Sequence, residues 1–109
     1  MTREEAFAVA GEFSDEWEFL PVRDVGFFVV RENEIHCWRK NDAKGHWINR
    51  SDIEGVTAPL LAKYGHVVTT VRKENTHGHR FVRRLGFRPI GGTGDCIQYR
   101  AERMNHARL

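Results

Sequence analysis

The segment NTHGHRFVRRLGF, residues 75–87, predicts an amphipathic helix that runs into a Leu-Gly-Phe end. On a helical wheel its apolar and small side chains share one face: Gly78, Phe81, Val82 and Leu85. The opposite face carries the basic side chains His77, His79, Arg80, Arg83 and Arg84. We therefore expect Phe81, Leu85 and Phe87 to lie in the core and the cationic face to lie outside.

Strand patterns lie on both sides of this helix. HVVTTVRK, residues 66–73, is rich in β-branched side chains and predicts a strand directly before the helix. CIQYRA at 96–101 predicts a last strand, paired in a hairpin with residues 87–91 across a flexible GGTG segment at 91–94. The C-terminal half thus predicts a strand, a helix and two more strands.

The N-terminal half predicts helices followed by a hairpin. Apolar residues recur at roughly helical intervals over residues 3–19, with a break between two short helices, and Pro21 ends this region. VGFFVVR at 25–31 and EIHCWR at 34–39 are β-branched and aromatic, which favours an antiparallel hairpin. NDAKGH, residues 41–46, predicts a loop.

A capping pattern marks the start of the next helix. Ser51 and Glu54 form an S-x-x-E capping box, which satisfies free backbone N–H groups at a helix N-terminus, and Gly65 suits the helix end. Pro59 falls inside the helix, where its ring presses on the carbonyl of Gly55. Because glycine leaves room there, we expect one kinked helix rather than two.

Composition indicates a globular α/β protein. The 109 residues, 40% of them hydrophobic, suit one domain over residues 1–109, and the order of elements predicts a mixed sheet flanked by helices. No apolar run reaches the roughly 18 residues of a membrane span, and acidic residues stand where a secretory signal needs basic ones. Cys37 and Cys96 are too few for a disulfide framework, so we expect buried free thiols and a cytosolic location, or packaging from the cytosol.

Charge is distributed unevenly along the chain. Residues 1–61 hold 7 Lys/Arg and 12 Asp/Glu, a net charge of −5, whereas residues 62–109 hold 10 and 3, a net charge of +7. A basic half can attract nucleic acid, a phosphate-bearing cofactor or an acidic protein surface. The basic half can equally be a solvated surface whose positive charge is neutralised by the acidic N-terminal half. Both interpretations stay open.

The spacing within residues 75–87 resembles the C-terminal half of the GNAT N-acetyltransferase superfamily. The family pattern is Asn, two residues, a small residue, several residues, often Tyr, then Leu-Gly-Phe. Asn75, Gly78 and Gly86-Phe87 match it, and the resemblance covers residues 66–87 well and 25–101 loosely. It implies a GNAT-like mixed sheet, shortened at the N-terminus, and acetyl-CoA as cofactor.

A second resemblance is to small acetyltransferase-like proteins of bacteriophages, including the internal virion protein A family of podophages. NTHGHRF followed by GGTGDCIQYR carries it. This resemblance implies phage virion or assembly proteins as partners, and a location in the host cytoplasm or the virion.

The GNAT resemblance also implies a cofactor site. Family members hold the pyrophosphate with backbone N–H groups of a glycine-containing loop at a helix N-terminus. The corresponding stretch, DAKGHWINRS, has one glycine and places Trp47 where a second small residue belongs, which predicts a damaged cradle. The cofactor-binding candidates are Lys44, Gly45, Arg50, Asn75 and Arg80.

The catalytic groups that the resemblance implies are a general acid for the thiolate and a base for the amine. Val82 stands where the family has its acid Tyr, and neither Tyr64 nor Tyr99 is placed to replace it. Glu34 is the first candidate for the base and His36 the second, although a Glu at a strand edge is more often solvated surface.

No metal site is expected. His77 and His79 form a His-x-His pair, but on a helix their side chains point about 200° apart, which does not suit one metal ion.

The sequence therefore favours a GNAT-like scaffold that has lost efficient acetyl transfer and serves as a virion-associated or assembly protein. An active acetyl-CoA-dependent N-acetyltransferase is the alternative. A nucleic-acid-contacting accessory protein, binding through the basic face to the nucleic-acid backbone, is the third hypothesis.

Overall fold

The computed structural model describes residues 4, 5, 8, 16–39 and 48–104. Its strands are β1 (Glu18–Val22), β2 (Gly26–Arg31), β3 (Glu34–Arg39), β4 (Val67–Arg72), β5 (Arg88–Thr93) and β6 (Cys96–Ala101). Helix α1 (Arg50–Tyr64) connects β3 to β4, and helix α2 (Thr76–Leu85) connects β4 to β5. The predicted α/β architecture is confirmed.

The strands form one mixed sheet in the order β1-β2-β3-β4-β6-β5. Antiparallel pairing joins β1 to β2, β2 to β3, β4 to β6 and β5 to β6. Only β3 and β4 are parallel, because α1 carries the chain across between them. The sheet therefore consists of two antiparallel parts joined at one parallel pair.

The two faces of the sheet pack different side chains. The larger cluster joins one face to both helices, and its buried members include Phe28, Ile35, Val67 and Tyr99 from strands with Ile53, Val82 and Leu85 from the helices. The smaller cluster on the other face is mostly aromatic and consists of Trp17, Phe27 and Val29 with Phe19 and Trp38 packed against them. Strand alternation produces this separation, since successive residues point to opposite faces.

Strand β1 was not predicted. The helical interpretation of residues 3–19 is wrong at its end, because residues 18 and 19 pair with β2; earlier in that stretch the structure describes residues 4, 5 and 8, which are helical. Pro21 lies within β1 and does not end a helix. Proline is tolerated there because β1 is an edge strand, where a missing N–H breaks no ladder.

Most of the GGTG segment, predicted as a flexible connection, belongs to a strand. Strand β5 continues through Gly91 and Gly92 to Thr93, with an irregular register between Pro89 and Gly91. The reversal lies at Gly94, whose φ of 55° is in the left-handed region.

The capping box of α1 lies two residues before the predicted one. The side chain of Asn49 accepts from the backbone N–H of Asp52, and the Asp52 carboxylate accepts from the N–H of Asn49, both at 2.9 Å. Glu54 instead accepts from Arg50 at 2.8 Å, one helical turn away. Asn49 and Asp52 form the capping box because Asn49 is the residue directly before the first helical residue, which is the N-cap position. Gly65 ends α1 as predicted, with φ 79°.

Helix α1 continues through Pro59, so the prediction of one helix rather than two is confirmed. A Cβ added at Gly55 would meet no atom within 4 Å, so alanine would also fit beside Pro59.

The Leu-Gly-Phe end of α2 has a structural cause. Gly86 adopts φ 107°, and its N–H donates to the carbonyl of Arg83, while the N–H of Phe87 donates to the carbonyl of Val82. These two bonds form a Schellman motif, in which the αL residue is normally glycine and the next residue is apolar. Leu85 and Phe87 are buried, as predicted, whereas Phe81 is only partly buried.

Helix α2 is held against the sheet through His79, which was expected on the outer face. One ring nitrogen, Nε2, lies 2.9 Å from the carbonyl oxygen of Arg72, and since a carbonyl can only accept, Nε2 carries the proton. Nδ1 then accepts from the Tyr99 hydroxyl at 2.7 Å. The cationic outer face therefore lacks His79, which is part-buried.

No helix of the described ranges is long and apolar enough to cross a membrane.

Gly78→Ala tests the contact between α2 and β4. An added Cβ would lie 2.8 Å from Val71 Cγ1 and 2.6 Å from Asn75 Nδ2, so we expect destabilisation of about 1–3 kcal/mol despite alanine's higher helix propensity. Gly55→Ala is the matched control, because it also sits inside a helix but in open space; it should stabilise by about 0.5–1 kcal/mol. Urea unfolding of both variants measures the difference, and equal stabilisation would contradict the close contact.

Tyr99→Phe tests the His79 contact. The variant leaves Nδ1 of His79 without its donor beside a fully buried ring, which should lower the free energy of unfolding by about 1–3 kcal/mol. Tyr64→Phe serves as control, since no described residue bonds to the Tyr64 hydroxyl, and should change stability by less than about 0.5 kcal/mol. Equal effects in thermal unfolding would show that the hydroxyl bond does not hold α2.

Candidate functional site

The candidate site is a cleft where the parallel strands β3 and β4 separate. Their pairing register contains one position, Glu34 opposite Val68. Beyond it the strands run in the same direction without pairing, so the edge of each that faces the other is left without a strand partner. The opening between them forms a cleft of about 830 Å³.

The cleft is lined from both faces of the sheet. On the side of the helices its lining includes Cys37, Val71, Asn75, Gly78, Phe81 and Val82. On the other side the lining includes Trp17, Glu34, His36, Trp38, Thr70 and Arg72. The alternation of β3 and β4 produces this division, because even-numbered residues of both strands share one face. A ligand in the cleft can therefore contact side chains from both faces of the sheet.

The two predicted base candidates are brought together. Glu34 Oε2 lies 2.7 Å from His36 Nε2, and because a carboxylate accepts, Nε2 is the donor and the neutral ring has its lone pair on Nδ1. Glu34 also lies 3.6 Å from Arg31, which holds its other oxygen. The His36 side chain is only 12% exposed. This arrangement fixes the tautomer and orientation of a histidine beside the cleft.

Two tryptophans frame His36. The ring of Trp17 meets it edge-on with centroids 5.4 Å apart, and the ring of Trp38 lies 6.3 Å away. Trp38 is itself stacked on Phe27 at 5.4 Å and an interplanar angle of 4°. Sequence reasoning missed both tryptophans. Trp38 could have been found, since it lies two residues after His36 on a predicted strand, whereas Trp17 was assigned to a helix.

The rim of the cleft on the helix side is cationic. Arg80 and Arg84 lie one turn apart on α2, both exposed and both lining the cleft, with His77 beside them. Within the described parts of the chain, neither arginine has a carboxylate partner. Part of the predicted cationic face thus borders the cleft, and Arg84 joins the predicted candidate Arg80. A nucleic-acid contact through this face stays a prediction.

The other cofactor-binding candidates are dispersed. Asn75 lines the cleft, but its side-chain oxygen caps α2 by accepting from Gly78 N–H at 2.9 Å. Arg50 lies at the first residue of α1, pairs with Glu54 at 2.8 Å and is not among the cleft-lining residues. Lys44 and Gly45 lie outside the described residues, as does Trp47, so the damaged cradle stays a prediction.

Position 82, where the resemblance places an acid, forms part of the cleft wall. Val82 is 9% exposed and belongs to both the core and the cleft wall. Tyr99 is not a substitute acid, since its hydroxyl is bound by His79 beneath α2.

The cysteines are free thiols, as predicted, although both are half-buried. Cys37 packs against the core, and burial raises the pKa of its thiol to about 12. It is therefore protonated at neutral pH and is not a nucleophile, because thiol attack needs the thiolate. Among the described residues, no three His, Cys, Asp or Glu side chains converge to hold a metal ion.

Comparison with known proteins identifies the fold. No family model matches the chain, and no curated protein matches its sequence. PaiA N-acetyltransferase from Thermoplasma acidophilum, solved with coenzyme A, has a TM-score of 0.57 and 17% identity over 71% of this chain and 52% of its own, so this chain spans about half its length. PH1933 from Pyrococcus horikoshii OT3 has a TM-score of 0.66 and 19% identity over 94% of this chain and 74% of its own.

These identities show likeness of fold. The six-stranded mixed sheet packed against α1 and α2 is GNAT-like, which confirms the fold that residues 66–87 implied. The resemblance to phage virion proteins finds no support in either structure and stays a prediction.

Proposed function

We propose that the chain binds acetyl-CoA in the cleft and transfers its acetyl group to an amine. The separation of β3 and β4 beyond Glu34 and Val68 carries the proposal. It offers a slot of about 830 Å³, lined on one side by arginines and on the other by a carboxylate-bound histidine. The GNAT-like fold of a neighbour solved with coenzyme A supports the same ligand.

The strand edges suit the pantetheine arm of the ligand. Backbone N–H and C=O groups of β3 and β4 face the slot without pairing to each other after the first position. Such groups need partners when water is excluded, and the arm carries two amides that can donate and accept as a strand does. The ligand then fills the place that a bridging strand would have taken.

The cationic rim suits the phosphates. Arg80 and Arg84 are separated by one helical turn, roughly 6 Å along the axis, at the mouth of the cleft on the helix side. Guanidinium groups bind phosphate oxygens through paired N–H donors. Coenzyme A carries both a diphosphate and a 3′-phosphate, so more than one anionic group can reach this rim.

Acetyl transfer needs a base for the attacking amine, and His36 is placed to supply one. The amine nitrogen attacks the thioester carbonyl carbon, its proton passes to the His36 imidazole, and the carbon–sulfur bond breaks to release the thiolate. The proton returns from His36 to the thiolate through water, giving the amide and free coenzyme A. Glu34 stabilises the imidazolium, because its carboxylate accepts the Nε2 proton throughout.

A second candidate function is acetyl-CoA binding without turnover, and Val82 is the observation that favours it. Valine has no proton to donate, so protonation of the departing thiolate depends on water. This candidate retains the binding half of the proposal and the predicted loss of efficient catalysis, with a role in assembly or in the virion.

Titration calorimetry with acetyl-CoA tests the binding. We expect a dissociation constant in the micromolar range, weakened by a few-fold to about tenfold in the double variant Arg80→Ala, Arg84→Ala, because exposed ion pairs contribute about 0.2–1 kcal/mol each. Arg88→Ala with Arg103→Ala is the control of equal charge, since both residues are exposed and neither lines the cleft. Undetectable binding to the unaltered chain would overturn the proposal.

His36→Gln separates binding from turnover. If His36 is the base, the variant should lose about 10²-fold or more in kcat/KM for an amine while its acetyl-CoA affinity stays unchanged. A thiol-trapping assay of released coenzyme A follows the rate, and calorimetry follows the affinity. Binding by the unaltered chain with no release in the presence of any amine would favour the second candidate.

A further inference from the structure

Strand β5 forms one edge of the sheet and is less covered than the other described strands. It pairs with β6, and no described residue bonds to its outer edge. All six of its residues are exposed, whereas each of the other five strands has at least one buried residue. Backbone N–H and C=O groups along such an edge are ready to pair with a further strand.

An apolar side chain and two glycines lie on this edge. Ile90 is 56% exposed, and it is the one large hydrophobic side chain that is exposed among the described residues. Gly91 and Gly92 follow it, and residues 89–94 carry no charged side chain. A strand laid along this edge would therefore cover Ile90 and meet no charge beside it.

Packing within the chain does not require the two glycines. Neither Gly91 nor Gly92 has a φ in the left-handed region. A Cβ added at Gly91 would lie 3.9 Å from Gln98 Oε1, and one at Gly92 would lie 3.7 Å from the carbonyl oxygen of Cys96, both ordinary contact distances. Glycine inside a strand is typical of a place where another backbone approaches closely, and the bare backbone leaves room for a side chain from outside.

We propose that β5 pairs antiparallel with β5 of a second copy of this chain, across a two-fold axis. The charges at the ends of the segment favour this occupant, because Arg88 begins β5 and Asp95 follows its last residue after Gly94. Antiparallel pairing brings the start of each strand to the end of the other, so each Arg88 lies beside Asp95 of the second copy. A two-fold interface uses the same patch on both copies, and this segment is complementary to itself.

The two end charges have no ion-pair partner among the described residues. The ion pairs of the described chain include neither Arg88 nor Asp95. Arg88 instead lies directly opposite Arg100 on β6, and like charges in that position are unfavourable. The carboxylate of the second copy offsets this repulsion, so pairing the copies improves the surroundings of Arg88.

The centre of the pairing falls at Gly91 and Gly92, which lie midway between the two end charges. Ile90 of each copy is then one position from the centre and packs against the glycines of the facing strand. The other edge of the sheet, β1, is a poorer partner for β5, because Pro21 has no N–H to donate. A contact of β5 with β1 would also be head-to-tail, and it would use neither end charge twice.

Sedimentation velocity at increasing concentration tests the pairing. Because the paired segment is short, we expect a dissociation constant of about 10–300 µM, seen as a rise in mass from one chain toward two over about 5–500 µM. Ile90→Lys should weaken the dimer about tenfold or more, since it places a charge at the centre of the interface. Ala62→Lys is the control, because it adds the same charge at an exposed position of α1 and should change nothing. A chain that stays monomeric at every concentration would overturn the proposal.

Charge reversal tests the antiparallel arrangement. Arg88→Glu and Asp95→Lys each put like charges together at both ends of the interface, so each variant alone should dimerise about three- to tenfold more weakly than the unaltered chain. The two variants mixed in equal amounts should recover the dimer, because each changed side chain then faces its opposite charge. Circular dichroism checks that both fold. Two folded variants that fail to recover when mixed would contradict the pairing of Arg88 with Asp95.

Amide hydrogen exchange locates the interface. Amides within residues 90–94 should exchange more slowly at high concentration, while those of α2 should not change. Slower exchange on α2 or β1 in place of β5 would assign the dimer to another surface and overturn the proposal. Every measurement is made without acetyl-CoA, so the outcome is independent of the proposed transferase activity.

Discussion

The site depends on one constraint, the failure of β3 and β4 to pair beyond Glu34 and Val68. Backbone N–H and C=O groups that do not pair within a sheet need other partners. A gap between two strands therefore costs free energy unless water or a ligand bonds to these groups. The outer sides of both strands are fully paired, β3 with β2 and β4 with β6. Each antiparallel part of the sheet therefore keeps its own strand pairing although β3 and β4 pair at one position.

Helix α2 fixes the helix-side wall of that opening. Gly78 lies so close to Val71 that an added Cβ would force one of them to shift, and the Schellman end at Gly86 turns the chain toward β5. Each fixed position in the spacing from Asn75 to Phe87 therefore has a structural role: Asn75 caps the helix, Gly78 allows the close approach, and Gly86 reverses the chain. Such a pattern is retained for the fold whether or not catalysis survives, which is why it identified the architecture more securely than the activity.

Much of the fold was predictable because its signals are local. The alternation of β2 and β3, the β-branched β4 and the end of α2 can each be recognised within ten residues. Prediction failed where tertiary pairing decided the outcome. Residues 18 and 19 have helical periodicity, yet β2 recruits them into the edge strand β1. His79 has the spacing of an outer-face residue, but the Tyr99 hydroxyl comes from a strand twenty positions later and binds it.

The candidate site shows the same division between local and distant information. Glu34 and His36 were named because the family resemblance implies a base near this strand, and their contact at 2.7 Å is possible because residues two apart on a strand share a face. Trp17 could not be found, since its place beside His36 depends on β1 pairing with β2. Valine at position 82 then has a definite consequence. The His36–Glu34 pair lies on one face of the sheet, while on the helix side position 82 contributes only an aliphatic surface, so under the proposed transfer that position supplies no proton to the departing thiolate.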